Sequence, residues 1–115
     1  MDQVRVKEIL QIIKNSKIAV YGDFCLDAYW IMDMRGSEVS VETGKKAEAV
    51  RKHYYTPGGA GNIVANLSAL EPKQIQAIGV IGDDIYGREL SSILKGLKAD
   101  TVSYTHLTLP TTPYV

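Results

Sequence analysis

Only one cysteine, Cys25, occurs in the 115 residues of this chain. That excludes a disulfide framework and a cysteine-rich metal site. Neither charge is in surplus: 13 Lys and Arg stand against 13 Asp and Glu, for a formal net charge of zero. The balance removes the basic footprint of a nucleic-acid binder and the block of an acidic tail. No apolar run approaches the roughly 18 residues of a membrane helix. The start, Met1-Asp2-Gln3-Val4-Arg5, lacks the basic-then-apolar order of a signal peptide. The expectation is a cytoplasmic protein with no nucleic-acid and no membrane partner. At 45% hydrophobic residues, the length suits one globular domain and not two full ones.

Charge is also missing locally. From Val102 to Val115 there is no Lys, Arg, Asp or Glu, whereas all such residues fall in 1–101. Val102–Leu109 has the composition of an edge strand. The string Val102–Thr111 also resembles the conceptual translation of a transposon-end adaptor used in preparing sequencing libraries. On that reading 102–115 is a non-native tail to be left out of fold reasoning, and the native chain is truncated near Asp100.

What is present is alternation of helix-like and strand-like segments. Over residues 3–15, Val6, Ile9, Leu10 and Ile13 recur at helical spacing. Lys17–Tyr21 reads as a short strand, apolar enough to be buried on both faces. From Phe24 to Tyr55 the pattern turns extended and polar. Strand-prone pieces at 28–32 and 49–55 suggest a small antiparallel flap spanning about 29–56. A helix over 61–70 is expected to bury Ile63, Val64, Leu67 and Leu70, with Pro72 preventing its extension. A strand follows over 74–81. Gly82-Asp83-Asp84 then supplies a turn and an N-cap for a helix over 85–98. This order predicts an α/β layered fold with a mainly parallel sheet.

Two stretches could carry chemistry. Gly22-Asp23-Phe24-Cys25-Leu26-Asp27 follows the first strand, and Pro57-Gly58-Gly59-Ala60-Gly61-Asn62 precedes the second helix. Ligands of open parallel sheets bind beyond the carboxyl ends of strands. Glycines at 58 and 59 let the backbone curl close to a small molecule, and the helix behind them aims unpaired N–H groups into that curl. Asp27 can accept hydrogen bonds from neighbouring sugar hydroxyls or cap the turn after it. Asn62 can contact a ligand or cap its helix. Cys25 reads as a small buried hydrophobe. His53 and His106 share no metal-ligand spacing. Asp83-Asp84 fits an N-cap better than a metal pair. Trp30, Tyr54 and Tyr55 fit packing better than sugar stacking. No Gly-Lys-Ser/Thr ending follows Gly61, so the loop is not a phosphate-binding P-loop.

Together these pieces resemble the ribokinase-like (PfkB) family of carbohydrate kinases over about Lys17–Asp100. The resemblance rests on Gly22-Asp23-x-x-Leu26-Asp27, Gly58-Gly59-Ala60-Gly61-Asn62, Ala65-Asn66-Leu67-x-x-Leu70 and Gly79-Val80-Ile81-Gly82-Asp83-Asp84-x-x-Gly87, in the family's order. With Tyr29-Trp30, the start is most similar to heptose-phosphate kinases of ADP-heptose synthesis. The resemblance implies a ribokinase-like fold and an ATP- and Mg²⁺-dependent phosphotransferase acting on a sugar or sugar phosphate. It implies that Asp27 binds sugar hydroxyls and that Gly58, Gly59 and Asn62 line the sugar site. It also implies that the flap is a lid, with a homodimer as a further role. Val64 departs from the family's preference for a small residue, and Glu71 stands where a glycine usually follows Leu70. The family's catalytic aspartate, in a Gly-x-Gly-Asp segment, has no counterpart here. Residues 1–101 therefore read as the N-terminal, sugar-binding part of such a kinase, inactive alone.

Alternatives are a nucleoside kinase of the same fold, a non-catalytic sugar-binding or dimerisation module, and, last, a dinucleotide-binding domain. The last lacks a Gly-x-Gly-x-x-Gly turn directly after the first strand. A cut parallel sheet leaves an unpaired edge and bare apolar surface. Residues 1–115 expressed alone are expected to be poorly soluble or oligomeric by sedimentation. A monomer that melts cooperatively would count against truncation.

Overall fold

The computed structural model describes residues 2–101. The proposed edge strand and the adaptor-like string lie outside the described residues. Helix α1 (Gln3–Asn15) leads into strand β1 (Lys17–Tyr21). Strands β2 (Phe24–Val39) and β3 (Lys46–Gly59) follow, then helix α2 (Ala60–Ser68) and strand β4 (Gln74–Ile78). Helix α3 (Ile85–Gly96) and strand β5 (Ala99–Thr101) complete the described chain. The architecture is mixed α/β. β1, β4 and β5 form a parallel sheet in the order β1-β4-β5, and β2 and β3 form a separate two-stranded antiparallel sheet. The chain divides into two compact units, one made of residues up to Leu26 and from Pro57 onward, the other of Asp27–Thr56.

In the first unit, α2 packs on β1 and β4, and α3 packs on β5 and against α2. The core is drawn from the faces that meet there: Val20, Phe24, Ala60, Val64, Ile75, Ala77, Leu90, Leu94 and Ala99. Val64 is 0% exposed and occupies the centre of α2's inner face. Alternation in β4 buries Ile75 and Ala77, as the two-residue period of a strand requires. β4 ends at Ile78, short of the expected Ile81. A Cβ at Gly79 would collide with the Phe24 ring and lie 2.8 Å from the Gly22 carbonyl oxygen. Glycine at 79 therefore admits the aromatic ring to the core.

The helix ends follow their capping residues. Asp2 accepts a hydrogen bond from the Val4 N–H at the start of α1. Asp84 accepts one from the Gly87 N–H at 2.7 Å at the start of α3, the N-cap expected there.

Several burial expectations are corrected. β1 is not buried on both faces: only Val20 is buried, and Tyr21 is 84% exposed. The reason is that α2 covers one face of β1, and the alternating side chains of Lys17, Ala19 and Tyr21 on the other face remain exposed. In α2, Ile63 is exposed while Val64 and Leu67 face the core, and Leu70 lies beyond the helix end at Ser68 and is exposed too. One sheet face covers one stripe of a short helix, and the neighbouring apolar residues remain in water. α1 buries no residue fully. Its stripe of Val6, Ile9 and Ile13 is half-buried and Leu10 is exposed.

Glu71, at the position where glycine was expected, adopts φ +53°. A side chain in this left-handed conformation costs about 1–2 kcal/mol. Its ion pair with Lys14, at 3.7 Å between exposed groups, offsets little of that. Glu71→Gly should therefore raise stability by about 0.5–1 kcal/mol once glycine's own chain entropy is subtracted. A shift of the urea midpoint to higher concentration, with the slope unchanged, would show it.

Candidate functional site

The glycine loop is built at the joint between the end of β3 and the start of α2. Gly59 serves as the N-cap of α2 with φ +55° and ψ −128°, close to the first central residue of a type II′ turn. Only glycine enters that region without strain. A Cβ there would also stand 2.5 Å from the carbonyl oxygen of Asp23. The approach is close because the Ala60 N–H donates to that same oxygen at 2.8 Å. A second bond, from the Gly22 N–H to the Ile78 carbonyl at 3.1 Å, ties the turn after β1 to the end of β4. Gly22-Asp23 and the glycine loop thus share one hydrogen-bonded corner at the carboxyl ends of two parallel strands. No side chain caps α2, so its positive end is left to whatever approaches the loop.

Within this corner Gly58 is buried, while Gly59 and Asn62 are exposed. Asn62 is the third residue of α2 and not its cap, so the capping reading of this side chain falls. Asp27 belongs to the other unit, where it is exposed and lies within β2. No turn follows it, so the turn-capping reading falls as well. Among the described residues, no hydrogen bond or ion pair engages the side chain of Asp27 or Asn62. The structure therefore brings together Gly58, Gly59 and Asn62 in one loop and presents Asp27 separately.

Other candidates resolve into structural roles or change character. Cys25 is exposed, not buried. In β2 it alternates with Phe24, whose ring takes the core side and sends its neighbour outward. Asp84 caps α3, and Asp83 lies 3.8 Å from Arg88. Trp30 was expected to pack but is 65% exposed. Tyr29 and Tyr54 stack across the strand pair, with ring centroids 5.0 Å apart and planes 9° from parallel. The sequence contains that pair, but its opposition depends on a cross-strand register that spacing alone does not give.

No group of three or more His, Cys, Asp or Glu residues among those described could hold a metal ion. The glycine loop lacks the lysine and hydroxyl of a P-loop. No step of phosphoryl transfer is assigned to the described residues. No helix among the described residues is long and apolar enough to cross a membrane.

With this geometry in place, comparison with known proteins bears out the resemblance read from the motifs. The chain is similar to bifunctional HldE proteins. It is 35% identical over 85 residues to Bifunctional protein HldE of Coxiella burnetii (strain RSA 331 / Henzerling II), a match covering 74% of this chain and 17% of the relative. The HldE protein of Haemophilus influenzae (strain PittEE) is 33% identical over 87 residues, covering 76% of this chain and 18% of the relative. That of Aliivibrio salmonicida (strain LFI1238) is 31% identical over 93 residues, covering 81% and 19%. The match thus spans less than a fifth of the length of these HldE relatives. No protein-family model matches the chain.

Gly59 and Gly44 separate the two demands placed on the loop. Both have positive φ, but a Cβ at Gly44 would meet nothing within 4 Å. Gly44→Ala should cost about 1 kcal/mol of backbone strain, and Gly59→Ala about 2 kcal/mol or more because the Asp23 carbonyl must also move. Urea denaturation of the two variants checks the order. Equal losses would mean that the Asp23 contact does not constrain the loop.

Proposed function

We propose that this chain is the sugar-binding portion of an ATP-dependent carbohydrate kinase with a ribokinase-like fold, acting on a sugar phosphate of the heptose type. The similarity to HldE proteins supports a carbohydrate-metabolism enzyme as the parent. The observation that carries the binding role is the glycine-formed corner: an uncapped helix start, a loop that only glycine can build, and strand ends converging beside it. In this reading, the Gly58-Gly59 backbone gives close approach and the exposed amide of Asn62 meets a ligand hydroxyl. The exposed carboxylate of Asp27 accepts from sugar hydroxyls.

The parent enzyme moves the γ-phosphate of ATP to a sugar hydroxyl with Mg²⁺. The nucleotide, the metal and the base that orients the hydroxyl belong to parts of a longer protein, consistent with the small share of each relative that is matched. The residues described here bind and orient the acceptor and shield it from water. We also propose the Asp27–Thr56 unit as the lid and as a surface for pairing between subunits.

Titration calorimetry of the 115-residue chain with a heptose phosphate tests the reading. Hydrogen bonds to a charged group contribute about 1.5–3 kcal/mol, so Asp27→Asn should weaken binding by about 10- to 150-fold. Asn62→Ala, which removes neutral bonds, should weaken it less, by about 2- to 10-fold. Binding unchanged in both variants, with circular dichroism showing them folded, would sink the assignment.

A further inference from the structure

Within the Asp27–Thr56 unit, one face of the strand pair carries groups of complementary chemistry in a row. Side chains two residues apart on a strand leave the same face. Asp27 therefore shares the face of Tyr29, and Lys52 shares that of Tyr54. The Tyr29–Tyr54 stack shows that these are one and the same face, and the Lys52 ammonium lies 5.7 Å from the Tyr54 ring centroid. β2 and β3 run in opposite directions, so stepping back from Tyr29 to Asp27 and from Tyr54 to Lys52 leads to opposite sides of the stack. Each step is about 7 Å. The face thus reads carboxylate, paired tyrosines, ammonium, with about 13–14 Å between the outer Cα positions.

Neither end of this row is neutralised. Among the described residues no ion pair or hydrogen bond engages Lys52 or Asp27, and both are exposed. The tyrosines are 47% and 40% exposed, so roughly half of each stays in contact with water and open to a ligand. The stack fixes the Tyr54 ring, and the ring in turn restrains the ammonium through the cation–π contact. All three N–H donors of the ammonium remain for an oxyanion.

We infer that this face reads an acidic sugar ester end to end: Asp27 accepts from hydroxyls, the Tyr29–Tyr54 pair supports the carbon skeleton, and Lys52 binds the phosphate. Lys52 thereby becomes the residue that selects a phosphorylated acceptor over a neutral sugar. This rests on the sugar-binding reading proposed above and names the group that decides its substrate class.

The test uses the 115-residue chain, a heptose phosphate, the corresponding unphosphorylated heptose and inorganic phosphate, each followed by titration calorimetry. The wild-type chain should bind the phosphate ester at least tenfold more tightly than the neutral heptose. Lys52→Gln should abolish that ratio by lowering affinity for the ester alone, and Lys52→Arg should restore most of it. Asp27→Asn should weaken both sugars alike and leave the ratio intact. Inorganic phosphate should compete with the ester in the wild type and not in Lys52→Gln. If the wild type binds sugars but Lys52→Gln leaves the ratio unchanged, the Lys52 assignment is overturned while sugar binding stands. If the wild type, shown folded by circular dichroism and soluble by sedimentation, binds neither sugar, both readings fall together.

Discussion

A single backbone hydrogen bond, from the Ala60 N–H to the Asp23 carbonyl, governs the glycine-formed corner of this protein. To make it, the chain must turn from the end of β3 into α2 while lying against the residues that follow β1. The turn requires positive φ at Gly59, and the close approach removes room for a Cβ there. The same turn starts α2 with no side-chain cap. The Ala60 N–H is taken by the Asp23 carbonyl, and the backbone donors that follow it have no capping side chain where strand ends converge. The site's polarity comes from main chain held in an uncommon conformation more than from acquired side chains.

The core supports that corner from beneath. Phe24, one residue beyond Asp23, inserts its ring where Gly79 leaves space. Val64, the fully buried residue of α2, packs in the same cluster. Helix position, loop shape and the end of β4 are therefore linked by contiguous packing. The two departures from the resembled family have physical counterparts: the larger Val64 fills the helix–sheet interface, and Glu71 carries the left-handed conformation for which glycine is better suited.

Local structure was largely legible in the sequence. α1 and β1 take the bounds that periodicity suggested, because capping and spacing act over a few residues. Asp84 caps α3 for the same reason. Burial was less legible. Ile63, Leu70 and Cys25 are apolar and yet exposed, since which side of a short element is covered depends on how many layers the fold stacks upon it. The glycine loop was visible as a cluster of Gly58, Gly59 and Gly61. Its reason, the Asp23 carbonyl, was not, because that contact joins residues more than thirty positions apart. The opposition of Tyr29 and Tyr54 was hidden likewise, being a matter of register between strands and not of composition.

The parallel pairing of β1 with β4, Lys17 opposite Gln74, also sets an order of events during folding. The hairpin and α2 lie between the two strands, so closing β1 onto β4 requires a long loop whose entropy must be paid before its contacts form. The antiparallel pair joins neighbours across a short turn and can form microseconds after it is made. As the chain is synthesised, β1 must wait through the whole of β2, β3 and α2 for its partner. During that interval an apolar strand edge stands open to wrong pairing.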